Sequence, residues 1–194
     1  MTAKLFKIIK KESQLDPRET DLYEILPRFI VEETLSIEGR FLKPVQREFE
    51  WEGEHFQLYI NPASVKDEDE KYRQYFPGGQ EAVIETALIE LAARDDGSFF
   101  DGKKLAFTLR QMQNHLTAGG HQYSREQIKH SILILAGVAY MILGKDIKWI
   151  FRTIETLALE EDETDIQFLA YFGVLIANRI KKYQDPPSII PSYQ

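Results

Sequence analysis

Residues 107–152 read FTLRQMQNHLTAGGHQYSREQIKHSILILAGVAYMILGKDIKWIFR. This stretch predicts two short helices that each begin with a capping box, in which a hydroxyl residue and the glutamine three positions later bond to each other's backbone amides. The hydroxyls belong to Thr108 and Ser124, and the paired glutamines are Gln111 and Gln127. Between the helices, Gly119-Gly120 permits the positive φ values at which such a helix ends. A helix, a tight turn and a second helix follow one another in the order of a helix-turn-helix.

The residues after the second helix change to strand patterns. Residues 138–143 form an apolar run too short for an independent helix, and Gly144-Lys145-Asp146 marks a turn into a second strand predicted over 147–159. A turn at 160–164 leads to a third predicted strand at 165–171. We interpret these strands as a wing. The predicted fold is therefore α+β, a winged helix-turn-helix.

An extension precedes this core. Residues 41–65 alternate apolar and polar side chains around Glu52-Gly53-Glu54, which is the pattern of a β-hairpin. Residues 80–94 predict an amphipathic helix, the first of the winged-helix core, and residues 172–183 predict the final helix.

We divide the chain into a helical arm at 1–40, a winged-helix domain at 41–184 that includes the hairpin, and a Pro-rich tail or linker at 185–194. Leu5, Ile8 and Ile9 have helical spacing in the arm. The arm either packs on the main domain or serves as a dimerisation or partner helix.

Composition limits the class of protein. The chain has 194 residues, 43% of them hydrophobic, which is enough to build a packed core. It contains no Cys, so disulfide frameworks and thiolate zinc sites are excluded. No stretch approaches the roughly 20 apolar residues of a membrane span, and the N-terminus lacks the pattern of a signal peptide. We expect a soluble, cytoplasmic protein without membrane contact.

Enzyme chemistry has no support in the sequence. The four histidines lack the spacing of a common zinc site, and the acidic run at 67–70 lacks the glycine of a calcium loop. No Walker A, G-x-G-x-x-G or G-x-S-x-G motif occurs. We therefore expect no enzyme, no catalytic residue, no cofactor and no metal.

Positive charge is concentrated in the predicted winged helix. Residues 97–154 carry eight basic and three acidic residues, a net charge of +5, although the whole chain has a net charge of −7. A basic island in an acidic chain is the electrostatic pattern expected of a surface that meets phosphates. Solubilising charges on an exposed surface would give the same count.

The second helix of a helix-turn-helix enters the major groove, while the first crosses the phosphate backbone. We expect Gln127 to contact adenine edges and Arg125 to contact guanine or phosphate, whereas the remaining side chains position the domain on the backbone. The complete set of candidate DNA-binding residues is Lys103, Lys104, Arg110, Ser124, Arg125, Gln127, Lys129, His130, Lys145, Lys148 and Arg152. The acidic residues 160–163 would be repelled by DNA, so either that turn faces away or the domain binds a protein.

From about residue 49 to 143, and more weakly to 183, the sequence resembles the winged-helix domain of bacterial plasmid replication initiators of the RepA and TrfA kind. The matching stretches are LYINPA (58–63), YFPGGQE (75–81), FFD (99–101), FTLRQ (107–111), GHQYSREQI (120–128) and SILIL (131–135). They cover roughly half of the chain.

The resemblance implies an initiator that binds repeated sites in an origin of double-stranded DNA, recruits host replication proteins and forms a homodimer as a regulatory switch. A full-length initiator of this kind carries two winged helices, whereas this chain has room for only one. Two other functions fit the same fold. One is a protein-interaction or dimerisation module of a replication protein, and the other is a winged-helix transcriptional regulator.

Overall fold

A computed structural model describes residues 22–30, 42–67, 69–94, 98–145, 148–162 and 164–184. Most of the predicted N-terminal arm, including Leu5, Ile8 and Ile9, and the whole of the predicted tail lie outside the described residues. The described part of the arm contains a short helix followed by a segment without regular secondary structure to residue 30, with Leu22, Leu26 and Ile30 buried in the core.

The described residues form five helices and ten strands. The helices are α1 (Leu22–Ile25), α2 (Gly79–Ala92), α3 (Leu109–Ala118), α4 (Arg125–Gly137) and α5 (Val174–Gln184). The strands are β1 (Val45–Trp51), β2 (Glu54–Asn61), β3 (Ala63–Lys66), β4 (Tyr72–Tyr75), β5 (Phe99–Phe100), β6 (Lys104–Thr108), β7 (Ala139–Leu143), β8 (Lys148–Phe151), β9 (Ile154–Glu161) and β10 (Ile166–Phe172).

The strands pair into two four-stranded antiparallel sheets and one hairpin. Sheet I has the order β1-β2-β7-β8, and sheet II has the order β5-β6-β10-β9. Strands β3 and β4 form the separate hairpin, and β3 packs against α4. The fold is therefore mixed α+β, with antiparallel sheets, as the sequence predicted.

The order of α2, β6, α3, α4, β9 and β10 is compatible with a winged helix-turn-helix. Strands β6, β10 and β9 lie side by side, and α2, α3 and α4 contact one another, so the three helices share one core. The predicted hairpin also forms, since β1 and β2 pair from Val45–Ile60 to Trp51–Glu54. It turns at Glu52 and Gly53, which both have positive φ.

The predicted wing was wrong in its first strand and in the first part of its second strand. Strands β7 and β8 pair with each other, and β7 pairs with β2 of the N-terminal hairpin, so both belong to sheet I. Of the predicted wing, only β9 and β10 pair with each other in sheet II, and we keep the name wing for this hairpin. The single strand predicted over 147–159 breaks at Arg152 and Thr153, where the chain passes from sheet I to sheet II. Thr153 is buried at this break and donates a hydrogen bond to Glu85 of α2 (3.1 Å), a long-range contact that sequence periodicity does not reveal.

Glu85 is the centre of a buried polar cluster. Both of its carboxylate oxygens accept from Arg28 Nη1, at 2.7 and 2.8 Å, and it also accepts from the Tyr23 and Thr153 hydroxyls. Burial, followed by the charge of Glu85, raises the pKa of Tyr23 well above its ordinary value, so Tyr23 remains a donor. The cluster joins three distant segments: the N-terminal segment, α2 and the crossing between the two sheets.

We predict that Glu85→Gln lowers the free energy of unfolding by about 3–5 kcal/mol, because it leaves the charge of Arg28 buried without a partner. Urea unfolding followed by circular dichroism measures the change. Glu90→Gln is the matched control, since Glu90 lies on the same helix and pairs with His115 at the surface, where a pair is worth about 1 kcal/mol or less. Equal effects of the two substitutions would contradict a structural role for the buried pair.

Candidate nucleic-acid interface

Both predicted capping boxes are present. Thr108 Oγ1 accepts from the Gln111 amide (3.1 Å), and Gln111 Oε1 accepts from the Thr108 amide (2.7 Å). The second box at Ser124 and Gln127 has the corresponding distances of 3.2 and 2.8 Å. These bonds fix where α3 and α4 begin. They also engage the side-chain oxygen of Gln127, the residue predicted to contact adenine.

Helix α4 is enclosed along most of its length. Its inward residues Ile128, Ile132 and Leu135 are fully buried. On another side, the buried Ser131 donates to Glu81 of α2 (2.7 Å) and accepts from Gln80 (2.6 Å). Contacts with α2, α3, β3 and β9 leave the first turn of α4 as its accessible part, where Glu126 and Gln127 are exposed.

The cations of α4 are paired with carboxylates of the wing. Arg125 Nη2 lies 2.6 Å from Asp165 Oδ1, and Lys129 forms an ion pair with Glu161. Both carboxylates belong to residues 160–165, which we call the acidic turn. Its acidic residues that the structure describes are Glu160, Glu161, Asp162 and Asp165. The wing therefore folds its negative tip onto the predicted reading helix.

Asp165 also contacts the beginning of α3. Its Oδ1 atom accepts from the Arg110 amide (3.3 Å), and the Arg110 guanidinium donates to the Thr164 carbonyl (3.3 Å). Partial burial raises the pKa of Asp165. Hydrogen bonds from Ile166 and Thr108 and the positive charge of Arg125 lower this pKa by a larger amount, so it lies below its ordinary value. We call the joined N-terminal ends of α3 and α4, with Arg110 and Arg125, the helix corner.

His130 lies on a different side of α4. Its ring packs edge-on against Tyr75 of β4, with ring centroids 4.7 Å apart, and its Nδ1 atom is 3.9 Å from Asp67 Oδ1. Arg73 and Tyr75 also bind Asp67, so this histidine takes part in the contact between α4 and the β3–β4 hairpin.

Three other predicted residues gather at the opposite end of sheet II. The Lys103 carbonyl oxygen accepts a hydrogen bond from the Phe172 amide (2.9 Å). Lys104 of β6 is the cross-strand partner of Tyr171 in β10. The backbone of Arg152 lies against Gly173, since a Cβ at Gly173 would lie 2.2 Å from the Arg152 carbonyl oxygen. The acidic turn precedes β10, whereas these residues lie beside the last residues of β10. The two groups are therefore about 20 Å apart at 3.4 Å per residue.

The sequence analysis missed a fourth cation at this end. The Lys181 side chain of α5 passes Gly102, so that a Cβ at Gly102 would lie 3.1 Å from Lys181 Cε. Lys145 and Lys148 lie elsewhere, at the β7–β8 turn of sheet I, where both are exposed. The eleven candidates therefore do not form one surface but lie at the helix corner, at the basic end of sheet II, at the end of sheet I and beside the β3–β4 hairpin.

Two general properties accompany this arrangement. No helix within the described residues is long and apolar enough to cross a membrane. The same residues contain no group of three or more His, Asp or Glu side chains placed to hold a metal ion.

Comparisons with known proteins give a fold relationship. The chain matches no protein-family model, and no curated protein matches it. The crystal structure of a selenomethionine derivative of domains 2 and 3 of RctB is similar, with a TM-score of 0.51 and 11% identity over 72% of this chain and 56% of that chain. A second structure of RctB domains 2-3 gives a TM-score of 0.50 and 10% identity over 79% of this chain and 57% of that chain.

At this level of identity, the similarity shows a shared fold. The aligned region spans somewhat more than half of the RctB chains.

Proposed function

We propose that this chain is a non-enzymatic module of a replication initiator and that it contacts duplex DNA through its helix corner. The fold similarity to RctB, itself a replication initiator, supports the relation to initiators. The resemblance of its sequence motifs to plasmid initiators points the same way. The proposal of DNA contact at a particular surface rests on the geometry of the corner.

The observation that carries this proposal is the binding of one anionic group by both helices. Asp165 receives a guanidinium from Arg125 and a backbone amide at the start of α3. Helix N-termini combined with arginine are the usual means of holding a phosphate, because the amides and the helix dipole favour negative charge. A carboxylate oxygen of Asp165 stands where an oxygen of a backbone phosphate would bind.

The acidic turn lowers the affinity expected of this corner. A phosphate must displace Asp165 from Arg125 and Glu161 from Lys129, and it approaches against the negative charge of the remaining carboxylates. Gln127 and Ser124 remain at the exposed first turn of α4 as the residues nearest to a groove. The other predicted cations lie at the far end of sheet II and in sheet I, away from the helix corner.

We predict that Arg125→Ala with Lys129→Ala weakens duplex binding about tenfold at low salt. Two fewer phosphate contacts also reduce the slope of log K against log salt by about 2, since each contributes roughly 0.9. Fluorescence anisotropy with a labelled duplex at several salt concentrations measures both quantities. Lys43→Ala with Lys66→Ala is the matched control, because it removes the same charge from exposed sites elsewhere. If the control has the same effect, the corner is not the DNA contact.

We predict the opposite result for the acidic turn. Glu161→Gln with Asp165→Asn should raise duplex affinity about threefold to tenfold, because it frees Lys129 and Arg125 and removes two repelling charges. The same anisotropy titration measures it. Glu48→Gln with Glu50→Gln makes an equal charge change on the exposed face of sheet I and serves as control. A loss of affinity in the first variant would contradict the proposal that a phosphate replaces these carboxylates at the helix corner.

A second candidate function is self-association through sheet I. Its outer face carries the cross-strand row Tyr59, Met141 and Ile150, and the Ile150 side chain is 62% exposed on the edge strand β8. An apolar row next to an unpaired edge is a typical site for pairing with another chain. This observation favours the dimerisation module considered from the sequence.

We predict that, if this module operates, Ile150→Lys reduces the average mass measured by multi-angle light scattering to that of a monomer. The lysine places a charge in the apolar row and on the open edge. Tyr72→Lys, at the most exposed aromatic residue of the β3–β4 hairpin, is the control and should leave the mass unchanged. A wild-type protein that is already monomeric at high concentration would exclude this second candidate.

A further inference from the structure

The outer face of sheet II carries two aromatic rings on either side of a lysine. Phe100, Lys104 and Tyr171 occupy one level of the sheet, because Lys104 is the cross-strand partner of both aromatic residues. Lys104 Nζ lies 5.6 Å from the centre of the Phe100 ring and 5.4 Å from that of Tyr171. Phe100 is 39% exposed, and Tyr171 is half-buried. We call these three residues the aromatic row.

The outer face next to the aromatic row is exposed. At the next level, Ala106 and Ala158 flank Leu169, and both alanines are exposed. The helices that contact β6, β9 and β10 most extensively are α3 and α4, whose buried residues belong to the core on the inner face. Small side chains beside two rings leave room for a planar group to lie against the sheet.

Three further cations belong to residues at this end of sheet II. Lys103, Arg152 and Lys181 are exposed, and none of them forms an ion pair within the part of the chain that the structure describes. Lys104 is paired with Asp101, and Glu155 lies near Gly173, so among the described residues this end carries four cations and two carboxylates. The aromatic row thus lies at the positive end of sheet II, whereas the acidic turn lies at the other end.

We propose that the aromatic row and its surrounding cations bind single-stranded DNA. Aromatic side chains accept the faces of unpaired bases regardless of sequence, and cations beside them hold the phosphates between the bases. The bases of an intact duplex are stacked on each other and cannot reach such a row. Lys104 lies between the two rings, where the phosphate that links two stacked bases would pass.

The site lies at the opposite end of sheet II from the helix corner, so a single strand and a duplex would bind to different surfaces of one domain. The choice of DNA over RNA rests on the proposed function in replication. The binding of an unpaired strand rests on the aromatic row and does not require the helix corner to bind a duplex.

Fluorescence anisotropy of the full chain tests the proposal with three labelled probes: a 20-nucleotide oligothymidine, the corresponding oligouridine and a 20-base-pair duplex. Phe100→Ala and Tyr171→Ala should each weaken oligothymidine binding about 5- to 160-fold, the range that follows from loss of one base–aromatic stack. Neither should change duplex affinity by more than about twofold. Tyr72→Ala is the matched control, because it removes an exposed aromatic ring outside the site.

A second pair of variants guards against misfolding of the Tyr171 variant, whose ring is half-buried. Lys103→Gln and Lys181→Gln keep the rings and should each reduce the salt slope for oligothymidine by about 0.7. Wild-type affinity in Phe100→Ala together with an unchanged slope in both lysine variants would overturn the proposal. Tighter binding of oligouridine than of oligothymidine would overturn the assignment to DNA.

The same titrations separate this proposal from the proposed duplex function. Oligothymidine binding that survives Arg125→Ala with Lys129→Ala supports the separate site, whether or not the duplex binds. If the protein binds oligothymidine but not the duplex, the proposed function of the helix corner is wrong and the single-strand proposal stands. If Phe100→Ala instead lowers the mass of an oligomer and leaves oligothymidine binding unchanged, the row is a contact between copies of the chain and the single-strand proposal is wrong.

Discussion

The pairing of Arg28 with Glu85 determines how the parts of this domain are placed relative to one another. Glu85 lies in the middle of α2, Arg28 comes from the N-terminal segment, and Thr153 marks the crossing between the two sheets. A charge this deeply buried stabilises the fold only when its partner is present, and it penalises arrangements that separate the two. The helix corner and the basic end of sheet II lie at opposite ends of β10, and the bond from Thr153 to Glu85 ties this sheet to α2.

Sheet II has acidic residues at one end and basic residues at the other. The acidic turn, at one end, neutralises Arg125 and Lys129, while Lys103, Arg152 and Lys181 lie at the other end. This polarity explains how an acidic chain can carry a basic island that is not a single basic surface. A nucleic acid approaching the domain would be attracted first to the basic end and would meet the helix corner against local repulsion.

Much of the local structure could be predicted from the sequence because its causes are local. The capping boxes at Thr108 and Ser124 need only residues three positions apart, and both have the predicted bonds. The wing could not be assigned correctly, because the choice of partner for β7 depends on the N-terminal hairpin and the break at Thr153 depends on Glu85. Periodicity identifies a strand but not its neighbours.

The candidate site shows the same limit. Arg125 and Lys129 were identified by type and position, but their partners are residues of the wing that no helical pattern could place beside them. The sequence could not assign Phe100 and Tyr171 to a common site, because only the register of β5, β6 and β10 brings them to one level. No sequence signal could have assigned Lys181, since its role depends on α5 passing Gly102.

Sheet I joins strands from both sides of the helix-turn-helix, which has a consequence for synthesis on the ribosome. Strands β1 and β2 emerge well before their partner β7, and the helices α2, α3 and α4 are made in between. Until residue 143 has left the exit tunnel, β2 keeps an unpaired edge beside the apolar side chains of Phe56, Leu58 and Ile60. The nascent β1–β2 hairpin is thus the segment of this chain that we expect a chaperone to bind during synthesis.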